Sequence, residues 1–190
     1  GQEEAGRDER TPLELTNGVD LQSIPTDRTL VEMFEAGELD ALMTARAPSS
    51  FVEGKPNIGR LFPDYREVEK AYYKKTNLFP IMHLIGIKKE LAEKYPWLPG
   101  SLYKAFLEAK EIALREVREV AALNVTLPWV EAEALESIAL MGNDYWRYGI
   151  QECAHEIEAI TRYSYDQGLS ERKLSAEDLF AASTFEISKI

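Results

Sequence analysis

The chain has 190 residues, of which 45% are hydrophobic and 29% charged, the proportions of a soluble globular domain able to bury a core. Its net charge of -11 opposes binding to a phosphate backbone, so nucleic acid is not an expected partner. The most apolar stretch, 78–87, is short and interrupted by Pro80 and His83, which argues against membrane insertion.

The first residues, GQEEAGRDER, carry neither an apolar stretch nor a small-residue cleavage site, and no export signal is read there. The single Cys153 suits a reducing compartment and reads as a small apolar helix residue. Together these give a cytoplasmic expectation.

In chain order, 1–18 has no helical or strand periodicity and is expected to be an extended or disordered lead-in. A short strand is predicted at 19–24, between Gly18 and Pro25. Thr29 and Glu32 have the spacing of a capping box, and Gly37 closes the helix that they open. A buried strand is predicted at 39–44. Strand, helix and strand in so short a span make a crossover unit of a parallel sheet. The loop Ala45-Arg46-Ala47-Pro48-Ser49-Ser50 then leaves a strand end, where open α/β sheets bind ligands.

A helix is predicted over 65–73 and a third strand over 79–88, with Pro80 near its start. Beyond Lys88 the pattern is helical. Leu102, Ala105, Phe106, Ala109, Ile112, Ala113, Val117 and Val120 mark one long amphipathic helix. Further helices are expected at 126–140, stopped by Gly142, and at 152–167, stopped by Gly168, with Ser175 and Asp178 capping a last short one. Trp97, Trp129 and Trp146 are expected in the core. The α/β fold therefore divides into a lead-in (1–18), an α/β part of a ligand-binding lobe (19–88) and a helical layer (89–190).

Few residues offer chemistry. His83 interrupts an apolar strand, where an unpaired polar group is costly, so it needs either a backbone partner or a pocket. Arg46, beside Ser49 and Ser50, is either a surface loop arginine or a cation for a carboxylate ligand. Arg60, next to Leu61-Phe62-Pro63, stands out from a basic run whose other members read as an exposed face. Tyr65, Tyr72 and Tyr73 could line an aromatic pocket, although tyrosine at this spacing more often packs. His155 lies among glutamates on what reads as a solvated helix face, and no metal site is assigned. No phosphate-binding glycine loop, nucleophile elbow or zinc spacing is present.

Four longer runs carry a family likeness: LDALMTARAPSSF (39–51), RLFPDYREVEKAYYKKTNLFPIMH (60–83), YPWLPGSLYKAFLEAK (95–110) and RYSYDQGLSERKLSAEDLFAAST (162–184). In this order they resemble the 4,5-dihydroxyphthalate decarboxylases. The resemblance implies part of a type II periplasmic-binding-protein-like fold, two α/β lobes around a cleft, with few strands here and a mainly helical C-terminal half. It also implies that an N-terminal lobe precedes this sequence in family members.

The family's reaction converts 4,5-dihydroxyphthalate to protocatechuate and carbon dioxide. Each ring carboxylate has a hydroxyl para to it, so the ring serves as its own electron sink. The chemistry requires no organic cofactor and leaves a metal open. Residue type then suggests Arg46 and Arg60 as a carboxylate clamp, His83 for proton transfer, and Ser49, Ser50 or Tyr72 for orienting hydrogen bonds. The alternative is a solute-binding protein for a small organic acid, which would be periplasmic. Either reading expects a small aromatic or organic acid as partner and leaves a homo-oligomer open.

Overall fold

A computed structural model describes residues 1–6 and 18–185, so most of the expected lead-in at 1–18 lies outside the described residues. The chain divides into two compact units, Gly1–Val68 with Gln167–Leu169, and Glu69–Asp166 with Ser170–Ile190.

The first unit contains α1 (Leu30–Glu35) and α2 (Ser49–Val52), which pack together, and the start of α3 (Tyr65–Thr76). Helix α1 forms where its end signals predict. The Thr29 hydroxyl accepts from the Glu32 N–H (3.1 Å), and the Glu32 carboxylate accepts from the Thr29 N–H (2.8 Å). The next orphan donors of the first turn, Leu30 and Val31 N–H, are satisfied by the carbonyls of Gly1 and Gln2 at 3.1 and 3.2 Å. At the other end Gly37 takes φ +73°, and the Glu38 N–H reaches back to the Met33 carbonyl (3.0 Å) in a Schellman closure. Arg28 grips Glu38 through two bonds of 2.9 and 2.8 Å, and this guanidinium holds the Glu38 carboxyl below its ordinary range.

The second unit is built around α5 (Leu98–Val117), which packs against α4 (Lys89–Lys94), α6 (Val130–Met141) and a closing 3-10 turn (Ala182–Thr184). Helix α7 (Ala154–Asp166) packs against α8 (Ala176–Leu179). The stops at Gly142 and Gly168 and the Ser175–Asp178 capping box occur as predicted. Helix α5 begins before the expected Leu102 because Pro99 is tolerated in a first turn, where its missing N–H costs nothing. Buried Lys110 on α5 is neutralised by Asp144 at 2.6 Å and lies 5.1 Å from the centre of the Tyr148 ring. Among the described residues no helix is long and apolar enough to cross a membrane.

Two expectations need correction. The strands predicted at 19–24, 39–44 and 79–88 do not occur among the described residues, which are helical or irregular and form no sheet. Alternation and apolar runs indicate which face wants burial, but a strand also needs a hydrogen-bonded neighbour, and none of these runs has a ladder partner among the described residues. The α/β assignment is thus not observed here, and Arg46 does not follow a strand end. The tryptophans are not core residues either. Trp97 and Trp129 are exposed N-caps of α5 and α6, and Trp146 stands in the loop after α6, 38% exposed. Helix ends and loops hold them off the buried faces that helical spacing creates.

Candidate functional site

The second unit holds a groove of about 570 Å³, a volume that suits a small ligand. One side comes from the irregular run Phe79 to Ile87, and others from α5, from the loop around Tyr145 to Ile150 and from the start of α7. Ile81, Met82, Leu84 and Ile85 are exposed, so this run supplies an apolar surface with no sheet behind it. Phe79 and Trp146 meet edge to face, with ring centres 5.8 Å apart.

The polar groups of the groove converge on Glu156. Its side chain is only 4% exposed and ion-pairs with the Arg147 guanidinium. Arg147 also donates to the Glu152 carbonyl (3.2 Å), which fixes the fork at the mouth of α7. The Phe79 N–H makes a long bond of 3.5 Å to Glu156 Oε1. The Tyr103 hydroxyl donates to the Tyr148 carbonyl at 3.4 Å. The Cys153 thiol faces the Arg147 carbonyl at 3.5 Å; burial, and then the Glu156 charge, push its pKa up, which keeps it protonated and inert.

Gly149 is required by this loop. Its φ is +109°, and a Cβ there would lie 2.3 Å from Glu152 Oε2 and 2.7 Å from the Tyr103 hydroxyl oxygen. Gly149→Ala is expected to destabilise the protein by about 2–3 kcal/mol, from backbone strain and the displaced carboxylate. A Tm unchanged from wild type would show that the loop relaxes freely.

Of His83, Arg46, Ser49, Ser50, Arg60 and Tyr72, the candidate site residues of the sequence, His83 is the one that lines this groove. It is exposed rather than held in a buried strand, so the desolvation cost expected of it does not arise. Tyr72 belongs to the same unit, on α3, and is 47% exposed. His155 donates through Nε2 to the Thr76 carbonyl (3.0 Å), the last residue of α3. No grouping of three or more metal-ligating side chains occurs among the described residues.

Arg46, Ser49, Ser50 and Arg60 lie in the first unit. The Arg46 side chain is exposed, and its carbonyl accepts from Gln2 Nε2 (3.2 Å) and the Thr44 hydroxyl (3.1 Å). Ser49, in the same loop, binds the carboxylate of Glu3. The Ser49 N–H and hydroxyl donate to Glu3 at 2.9 and 2.8 Å. Ser50 is fully buried and its hydroxyl has no partner among the described residues. The Arg60 guanidinium sits between two rings, 5.1 Å from the centre of Phe51 and 4.7 Å from that of Tyr65.

These bonds to Ser49, the backbone one foremost, lower the Glu3 pKa. A carboxyl whose folded pKa is depressed contributes stability above its unfolded value and loses it as pH falls through the folded one. Titrating Glu3 by NMR is expected to give a midpoint below the ordinary carboxylate value, moving upward in Ser49→Ala. An identical midpoint in the variant would remove the hydroxyl from the account.

The residues that helical and strand periodicity passed over are Tyr103, Tyr145, Arg147 and Tyr148, and Glu156, expected on a solvated acidic face, is instead buried against Arg147. One signal was available in NDYWRYGIQE: an arginine flanked by aromatics and followed by a glycine, between two helices. Such a cluster has no place on a helix face and is suited to a loop wall.

No family profile matches the chain. Its likeness to curated proteins is to decarboxylases. The chain is 40% identical over all 190 residues to the 4,5-dihydroxyphthalate decarboxylase of Comamonas testosteroni, and it spans 58% of that relative's length. Over 74 residues, 39% of the chain and 29% of the relative, it is 38% identical to the 4,5-dihydroxyphthalate decarboxylase of Pseudomonas putida. The resemblance carried by the four sequence runs is borne out.

Proposed function

We propose that this chain is part of an aromatic-acid decarboxylase that converts 4,5-dihydroxyphthalate, or a close analogue, to protocatechuate and carbon dioxide. The observation that carries the reading is the match along every part of the chain to a protein named for that reaction. The groove adds physical support, since aromatic walls with one cation and one carboxylate suit a charged, hydroxylated ring. In the whole protein the fold we propose is the two-lobed α/β type II arrangement. The exposed apolar run Phe79 to Ile87, which would supply a strand if given a neighbour, favours that view.

The reaction needs little from the protein beyond position and protons. Ionising the hydroxyl para to one carboxylate pushes electron density onto the carbon bearing that carboxylate. That carbon takes a proton, the electrons of its bond to the carboxylate return to the ring, and carbon dioxide leaves. His83, at the groove, is the proton donor we assign. Arg147 is a cation that lines the groove, with donors beyond the two it spends on Glu156 and Glu152. Anion binding by Arg46 and Arg60, with Ser49 or Ser50 orienting, is kept as a separate proposal for the whole protein, and an orienting hydrogen bond from Tyr72 as another.

The test is direct. The intact protein incubated with 4,5-dihydroxyphthalate is expected to release carbon dioxide and protocatechuate in equal amounts. Binding of the diacid without any product would overturn the catalytic reading and leave a binding protein.

A further inference from the structure

Three buried side-chain oxygens have no hydrogen-bond partner among the described residues: Ser50 Oγ, Ser170 Oγ and Glu156 Oε2. Only Glu156 belongs to the groove. It also differs in kind. A hydroxyl can donate or accept, whereas a carboxylate oxygen can only accept, and leaving a charged acceptor dry is the costlier omission. The other oxygen of the same carboxylate is held by Arg147 and the Phe79 N–H, so the group is fixed in position while Oε2 is left over.

We infer that Glu156 Oε2 is the acceptor for a ring hydroxyl of the groove's ligand, which makes Glu156 the residue that selects hydroxylated aromatic acids over plain ones. This rests on the ligand class proposed above. The surroundings supply the rest of the match. Phe79, Trp146 and Tyr148 offer ring faces and edges, and a phenol held among them brings the one donor that Glu156 lacks. Glu156 would thus fix which edge of the ring lies deep, and with it which carboxylate faces His83. It is a positioning residue in this scheme.

Two unreactive probes test the idea on the intact protein by titration calorimetry: protocatechuate, with ring hydroxyls, and benzoate, with none. A hydrogen bond to a charged acceptor predicts that wild type binds protocatechuate roughly ten- to a hundredfold more tightly. In Glu156→Gln, which keeps an oxygen for Arg147 and places an amide where the acceptor stood, that preference is expected to vanish while benzoate binds as before. Equal weakening of both probes, or a preference that survives the substitution, overturns the inference and leaves Glu156 a structural partner of Arg147. If Glu156→Gln does not fold, wild type alone decides, since equal affinity for the two probes removes any hydroxyl acceptor. Failure of wild type to bind either probe rejects the aromatic-acid reading itself, a result separate from loss of the preference.

Discussion

Replacing His83 by alanine is expected to lower the decarboxylation rate we propose for the intact protein by about 10²- to 10⁴-fold, the usual worth of one positioned proton donor. The residue is well placed for a clean experiment. It lies in irregular chain at the groove and is exposed, so its removal leaves neither a cavity nor a buried group without a partner. Surface changes of that kind stay within about 0.5 kcal/mol in stability. A variant with wild-type unfolding and greatly reduced turnover therefore reports on chemistry. Normal turnover with an unaltered pH profile would exclude His83 from the proton transfer.

The largest stability effect is expected at Arg147. Its partner Glu156 is 4% exposed and Arg147 itself 25% exposed, so Arg147→Met would strand a carboxylate inside unit two. Breaking a buried pair from one side typically costs 3–5 kcal/mol, and the partial exposure of Arg147 points to the lower end, about 3 kcal/mol. Urea unfolding would show this as a midpoint lowered by about 1–2 M. The companion Arg147→Met with Glu156→Leu is expected to recover most of the loss, because two apolar side chains of similar volume leave no charge to satisfy. If the double variant were as unstable as the single one, packing rather than charge would be the reason for the pair.

Much of the helical half was legible because helix ends are local. A capping box at Thr29 and Glu32, or a glycine at positions 37, 142 and 168, satisfies or ends a turn within four residues of itself, so spacing alone suffices. The likeness to decarboxylases was legible for a different reason: it is carried by long ordered runs of residue types, which do not depend on knowing what packs on what. The strands predicted at 19–24, 39–44 and 79–88 do not occur among the described residues because a strand needs a ladder partner distant in sequence, and no pattern within six or ten residues reveals whether there is one.

The site divides along the same line. A polar residue in an apolar run left His83 open between a backbone partner in the core and a pocket; the structure has it exposed, among the residues that line the groove. The sequence left Arg46, beside Ser49 and Ser50, open between a surface arginine and a cation for a carboxylate ligand, and it carried no sign that Ser49 binds the carboxylate of Glu3. The Arg147–Glu156 pair joins a loop to the first turn of α7, and its neighbour Phe79 arrives from much earlier in the chain. Local hydrogen bonding and side-chain type thus set the helices and their ends. Folding alone brought distant residues together around one carboxylate, because burial removes the water that would otherwise satisfy it and forces each charge to find its partner in space.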